Sequence, residues 1–209
     1  MSTNSAGKRA READDDQLSK RVRPHDVAVE VNKHAASVST YTVAPHIECS
    51  AVLHGEILKI STEQYIRASN LVVLFYDYDF TPTAVRDILA FSSRHQDITA
   101  LNTNIVAISA DTEHCHYAFI ERTFGGSDVP IPLLADTTKR IAHSYQVLDE
   151  CKGVAKRSVF VIDKLGHIRF WSVLQHHELE HNVDSVISVV STIVCSFIFV
   201  MICLVMVEL

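Results

Sequence analysis

Cysteine is scarce in this chain. The five that occur are an odd number without paired spacing, which excludes a disulfide framework and fits a reducing compartment. None lies between Cys49 and Cys115. No apolar run opens the chain, so a secretory signal is not expected and the protein is not expected to be secreted. Excess positive charge is lacking too. Nineteen Lys and Arg stand against 25 Asp and Glu, a formal net charge of −6, which argues against nucleic-acid binding by the body of the protein. No Lys or Arg follows Arg169, so the C-terminal part lacks the positive flank common beside membrane anchors.

What is present divides into three stretches. Residues 1–40 are polar and without hydrophobic periodicity, and read as a mobile tail. Within them Lys8 and Arg9 are separated by ten residues from Lys20, Arg21 and Arg23. That is the spacing of a bipartite nuclear-import signal, two basic clusters for the acidic groove of an import receptor. Asp14, Asp15 and Asp16 between the clusters leave a solvated charged tail as the alternative. Residues 41–185 hold most of the 47% hydrophobic content and are expected to form one domain.

Within that domain strands and helices alternate. A turn and short strand are expected over residues 54–60. Residues 71–76 are a continuous apolar run, as in a central buried strand. Val85, Ile88 and Leu89 then fall on one helical face. Residues 104–110 predict a second buried strand, and Asp111 or Thr112 can cap the helix after it. Thr137 or Thr138 can cap another helix ending near Tyr145. Residues 158–163 and 168–173 flank Lys164, Leu165, Gly166 and His167, a hairpin signal. This order predicts a three-layer α/β/α sandwich.

The last stretch differs. Residues 186–207 carry no charge, and 14 of the 22 are Val, Ile, Leu or Phe. As a helix they would span about 33 Å at ~1.5 Å per residue, against ~30 Å of bilayer hydrocarbon. A C-terminal transmembrane helix, a tail anchor holding the body in the cytoplasm or nucleus, is the expectation. A last helix packed on the sheet is the alternative for its first turns.

Residues 71–91 read LVVLFYDYDFTPTAVRDILAF. They resemble the active-site segment of a peroxiredoxin, where a Pro-x-x-x-Thr-x-x-Cys motif opens a helix. Asp77 stands at the Pro position, Thr81 at the Thr position and Ala84 at the Cys position. Further blocks follow in order at near-family spacing: NIVAISADTEHCHYAFI over residues 104–120, VPIPLLADTTKRIAHSYQVL over 129–148 and GVAKRSVFVIDKLGHIR over 153–169. Arg157 falls on the family's active-site arginine. The chain is identified as a member of the typical two-cysteine peroxiredoxins. The resemblance implies a thioredoxin-like fold with a central mixed sheet, no cofactor and no metal. It also implies thioredoxin-dependent reduction of hydrogen peroxide and alkyl hydroperoxides in redox homeostasis, and a homo-oligomer or a hetero-oligomer with other peroxiredoxins.

The departures bear on that activity. A peroxidatic cysteine attacks the O–O bond as a thiolate, with its pKa lowered by a helix N-terminus and a nearby arginine. It becomes a sulfenic acid that a second thiol resolves. Ala84 removes the nucleophile, Asp77 removes a shielding ring, and the Val-Cys-Pro of the resolving cysteine is absent. Val85, Arg86 and Asp87 replace the usual Pro-Thr-Glu. Thr81 and Arg157 survive from the peroxide pocket. The expected protein is therefore catalytically impaired and acts by binding or oligomerisation. The alternative is a peroxidase using a displaced thiol, Cys115 or Cys49, although neither shows a clear helix N-terminus.

Two other constellations carry metal-ligand chemistry on paper. His114, Cys115 and His116 are consecutive, so on a helix they point about 100° apart and do not converge on one ion. His177 and His181 are four apart and would share a helical face, but two ligands fall short of a structural zinc site. A residual electrostatic role is open for His181, which stands near a family arginine. Cys151 lies in an expected exposed turn.

Overall fold

The apolar run predicted as a buried strand becomes β3 (Asn70–Phe75), whose six residues are all buried. It lies between a parallel neighbour, β4 (Thr103–Ser109), and an antiparallel one, β8 (Ser158–Ile162). These are strands of a seven-stranded mixed sheet in a computed structural model of the chain, which describes residues 42–125, 129–176 and 178–207, with residues 197–207 described by backbone alone. The sheet is completed by β1 (Glu48–Leu53), β2 (Glu56–Ser61), β5 (Leu133–Ala135) and β9 (Ile168–Val173), in the order β2-β1-β5-β4-β3-β8-β9. Strands β6 (Leu148–Asp149) and β7 (Val154–Ala155) form a separate small hairpin. The two-residue turn from β1 to β2 has His54 and Gly55 both at positive φ, 51° and 74°, the twist that tight hairpins favour.

The pleat of β3 and β8 divides the core in two. Val72, Leu74 and Tyr76 share one cluster with Val159 and Val161 and with α1 (Pro82–Ser93), α2 (His95–Thr99), α3 (Glu113–Thr123) and α5 (Val183–Val207). Phe75 and Phe160 point the other way and pack with Tyr145, just beyond α4 (Arg140–Ser144), at ring-centroid distances of 5.0–5.8 Å. The result is the expected α/β sandwich.

Several local expectations change. On α1 the buried face is Ala84, Asp87, Ile88 and Phe91, while Leu89 is 51% exposed. The face lies one position earlier, with Ala84 in the core cluster and Asp87 against Arg157. Helix α4 starts at Arg140, after Lys139 in the left-handed region, with no side-chain cap on that residue. The Asp136 carboxylate instead accepts from the Ile141 and Ala142 amides at 3.2 and 2.8 Å, so it displaces Thr137 and Thr138 from the capping role.

The first turns of the expected membrane span lie against the body of the protein, the alternative reading for them. Helix α5 is capped by Asn182, whose Oδ1 accepts from the Ser185 amide at 2.9 Å, and Val183, Val186, Val190 and Ile193 are buried in the core. Their spacing is an amphipathic stripe, and each contributes about 1.5–3 kcal/mol relative to exposure. Residues 194–207 of the helix would extend only about 21 Å at ~1.5 Å per residue. Among the described residues no helix is long and apolar enough to cross a membrane. The tail of residues 1–40, with Lys8, Arg9, Lys20, Arg21 and Arg23, and the side chain of His177 lie outside the described residues.

Candidate active site

The chain leaves β3 through Tyr76 and Asp77 and reverses at Phe80, which sits at φ 62°. Its ring packs edge-on against Phe119 with centroids 5.2 Å apart, an apolar contact that helps to hold an otherwise disfavoured conformation. Thr81 is then extended, at φ −83° and ψ 147°, and caps α1. Its Oγ1 accepts from the Ala84 amide at 3.0 Å, and Pro82 supplies the preset φ of a first helical residue.

Asp77 lies beneath that cap. The hydroxyls of Thr81 and Thr83 donate to its Oδ1 and Oδ2, each at 3.1 Å, and the two threonine oxygens are 3.0 Å apart. The Thr81 hydroxyl has a competing acceptor in the Tyr78 carbonyl, also at 3.1 Å. The methyl of Ala84 is fully buried in the core cluster. The structure thus brings Asp77, Thr81 and Ala84 together as the sequence implied.

Arg157 enters from the start of β8. Its Nε and Nη2 donate to the two carboxylate oxygens of Asp87 at 2.7 and 2.6 Å, and Nη1 donates to the Leu179 carbonyl at 3.0 Å. Both side chains are almost wholly buried, so this is a charge-assisted fork in a low-dielectric setting. No local pattern marks Asp87, one turn into α1, as the partner of that arginine. Asp77 and Arg157 both line an open cleft of about 410 Å³ beside the β6–β7 hairpin.

His181 closes the back of this arrangement. Its ring stacks edge-on against Phe91, and Nε2 lies 4.0 Å from Asp87 Oδ2. Burial pushes its pKa down to about 4, with Asp87 opposing and Arg157 and Arg86 reinforcing the shift. A neutral imidazole is therefore folded in, and protonation favours the unfolded chain. Stability from this residue is complete above the ordinary histidine pKa, falls between pH 6.5 and about 4, and is flat below. The loss amounts to about 3 kcal/mol. Urea unfolding at pH 7 and pH 4.5 should show H181Q losing much less stability on acidification than the parent; equal losses would exclude His181 as the source.

A second polar cluster holds the other side of the β3–α1 connection. The Tyr76 hydroxyl donates to Asp79 Oδ1 at 2.8 Å, and His116 Nδ1 lies 2.9 Å from Asp79 Oδ2. The Asp79 amide donates to Asp111 Oδ2 at 2.8 Å. This network fixes the loop carrying Thr81. Only the bare presence of Asp79 and His116 hinted at it in the sequence. The consecutive His114, Cys115 and His116 diverge as expected: His114 is exposed and His116 buried. Ligand atoms of Asp79, Asp111 and Cys115 do lie within 4.8 Å of one another, although both Asp79 oxygens already accept hydrogen bonds.

Of the two candidate displaced thiols, Cys115 is placed differently from expectation. Cys115 is in the first turn of α3, where its amide is capped by Thr112 Oγ1 at 3.2 Å. A helix N-terminus lowers a thiol pKa, yet the Cys115 thiol is pushed up to about 12 by burial and then by the Asp79 and Asp111 carboxylates. Two full charges outweigh a half-charge from the helix. Cys49, in β1, is pushed up to about 12 by burial and Asp136. Cys151 is exposed, as expected from its turn.

Comparison with known proteins agrees with this architecture. Residues 42–171 match the AhpC/TSA family. The chloroplastic 2-Cys peroxiredoxin BAS1 of Spinacia oleracea is 36% identical over 141 residues, 66% of this chain and 51% of that protein. The mitochondrial thioredoxin-dependent peroxide reductase of Rattus norvegicus is 37% identical over 143 residues, 67% of this chain and 54% of that protein. The chain thus spans about half the length of these relatives. In fold it resembles Enterococcus faecalis AhpC, with a TM-score of 0.69 at 23% identity over 73% of this chain and 90% of that one. The reduced 2-Cys peroxiredoxin of Plasmodium vivax gives 0.68 at 23% identity over 74% and 95%. By its matched residues, its relatives and its thioredoxin-like sheet, the chain belongs to the AhpC/TSA family as a member of the typical 2-Cys peroxiredoxin type.

Proposed function

We propose that this protein keeps the peroxiredoxin scaffold without peroxide turnover and acts by binding. One observation carries the reading: the first turn of α1, capped by Thr81, presents the buried methyl of Ala84 where the family's chemistry needs a thiolate. Asp77 adds to it, because its carboxylate accepts from the Thr81 hydroxyl that would otherwise orient a peroxide. The thiols of Cys49 and Cys115, pushed up to about 12, are almost entirely protonated at neutral pH, which counts against a relocated nucleophile.

The binding partner in this reading is another peroxiredoxin chain, the same or an active relative. Strand β9 ends the sheet order, and an outer strand can pair with a strand of a second chain. The basic clusters at Lys8, Arg9, Lys20, Arg21 and Arg23 belong to the same proposal as a nuclear-import signal, with the protein in the cytoplasm or nucleus. With thioredoxin, thioredoxin reductase and hydrogen peroxide supplied, the purified protein is expected to consume no peroxide above a protein-free blank. Robust turnover, or dimedone labelling of Cys49 or Cys115 after brief peroxide exposure, would overturn the reading.

A further inference from the structure

We propose that the cleft beside α1 binds a small zwitterion, an amino-acid-like molecule with its ammonium on Asp77 and its carboxylate between Lys152 and Lys156. The inference rests on the reading of the protein as a binder and specifies what that site takes. The cleft, about 410 Å³, falls in the size range of small-molecule sites.

Its charges lie at different depths, and the second acid on its lining, Asp149, is already engaged by the Cys151 and Lys152 amides, each at 3.1 Å. Asp77 is 8% exposed, and its partners are two threonine hydroxyls rather than a cation. A buried carboxylate held by hydroxyls alone favours a cationic ligand, and each oxygen keeps a lone pair for an N–H donor. Arg157 lines the same cleft, but its charge is answered by the fork to Asp87. The lysines lie at the rim. The Lys152 side chain is 62% exposed, with its nearest carboxylate, Asp149, at 3.9 Å, a weak solvated pair. Lys156 is exposed and has no carboxylate partner among the described residues.

Val154, Leu174 and the half-exposed ring of Tyr78 form the apolar part of a wall that also holds Gln175 and His176, and that part is suited to methylene groups. Opposite charges at two depths with an apolar wall select a ligand carrying both charges. A simple anion meets the Asp77 carboxylate, and a simple amine leaves the lysines unanswered.

Calorimetric titration of the full chain with 5-aminopentanoate, pentylamine and pentanoate tests this. The zwitterion should bind at least about tenfold more tightly than either singly charged analogue. D77N, which retains an acceptor for the threonine hydroxyls, should weaken the zwitterion and pentylamine about tenfold and leave pentanoate unchanged or tighter. K156A, at an exposed site that does not bear on folding, should weaken the zwitterion and pentanoate but not pentylamine. Equal affinities for all three probes, no heat at about 10 mM, or an unchanged ranking in K156A would overturn the assignment. Failure here with no peroxide consumption removes only the ligand class, whereas peroxide turnover removes the binder reading whatever the titrations give.

Discussion

Placing cysteine at position 84 is expected to give a protein that reacts only slowly with hydrogen peroxide, and adding D77P to A84C is expected to raise that rate about tenfold. The new thiol would enter the first turn of α1, next to the amide that Thr81 caps, so the helix N-terminus would favour its thiolate. Asp77 opposes this. Two hydrogen bonds, 3.1 and 3.0 Å, link its carboxylate through Thr81 to the amide of residue 84. A negative charge at about 6 Å costs about 3 kcal/mol at an effective dielectric of ~20. That is about two pKa units, or a hundredfold in thiolate fraction. A thiol of higher pKa is intrinsically more nucleophilic, which returns about tenfold and leaves a net deficit of about tenfold. Proline at 77 removes the charge and frees the Thr81 hydroxyl, and the Asp77 amide makes no hydrogen bond among the described residues that proline would break. The measurement is single-turnover sulfenic acid formation at residue 84, with dithiothreitol present to reset the thiol between trials. If A84C alone matched the double variant, Asp77 would not be an inhibitory charge.

That dependence on a pair of residues marks the boundary of what the sequence discloses. The apolar runs that become β3 and β4, the cap at Thr112 and the hairpin around Gly166 are all set by neighbours in the chain, and all are readable from it. Thr81, Ala84 and Asp77 are legible because they sit within eight residues of one another in a recognisable motif. Other features are not local. Asp87 meets Arg157 across 70 residues, and the sheet order that joins them appears in no pattern of either segment. Asp136 takes the capping role from Thr137 and Thr138 because its carboxylate is already held near α4 by β5. The uncharged run over residues 186–207 is ambiguous in a different way. Apolarity alone does not say whether lipid or a sheet covers a helix, and here Val186, Val190 and Ile193 face the sheet. Cys115 is a similar case: its helix position predicts a lowered pKa, and burial together with two carboxylates from the β3–α1 loop and the end of β4 reverses the sign.

Removing one member of the Asp87–Arg157 pair is expected to destabilise the protein by about 3–5 kcal/mol, while replacing both with leucine is expected to cost far less. The guanidinium loses two hydrogen bonds of 2.7 and 2.6 Å in D87L and keeps only the Leu179 carbonyl among its partners named above. The guanidinium then lacks its carboxylate where both side chains were 4% exposed or less, and its desolvation is answered by much less attraction. His181 cannot substitute, since it is neutral in the fold and carries no negative charge. In R157L the carboxylate of Asp87 loses both of those hydrogen bonds instead and keeps His181 Nε2 at 4.0 Å. The double variant D87L/R157L deletes both desolvation costs and fills the space with apolar atoms, so urea unfolding should place it nearer to the parent than to either single variant. The coupling between the two sites would then be several kcal/mol, as expected for a pair acting as one unit. If the three variants were instead additive, the fork would be incidental to the fold. A large coupling would mean that Arg157 is held in this protein by its need to answer Asp87, independently of any peroxide.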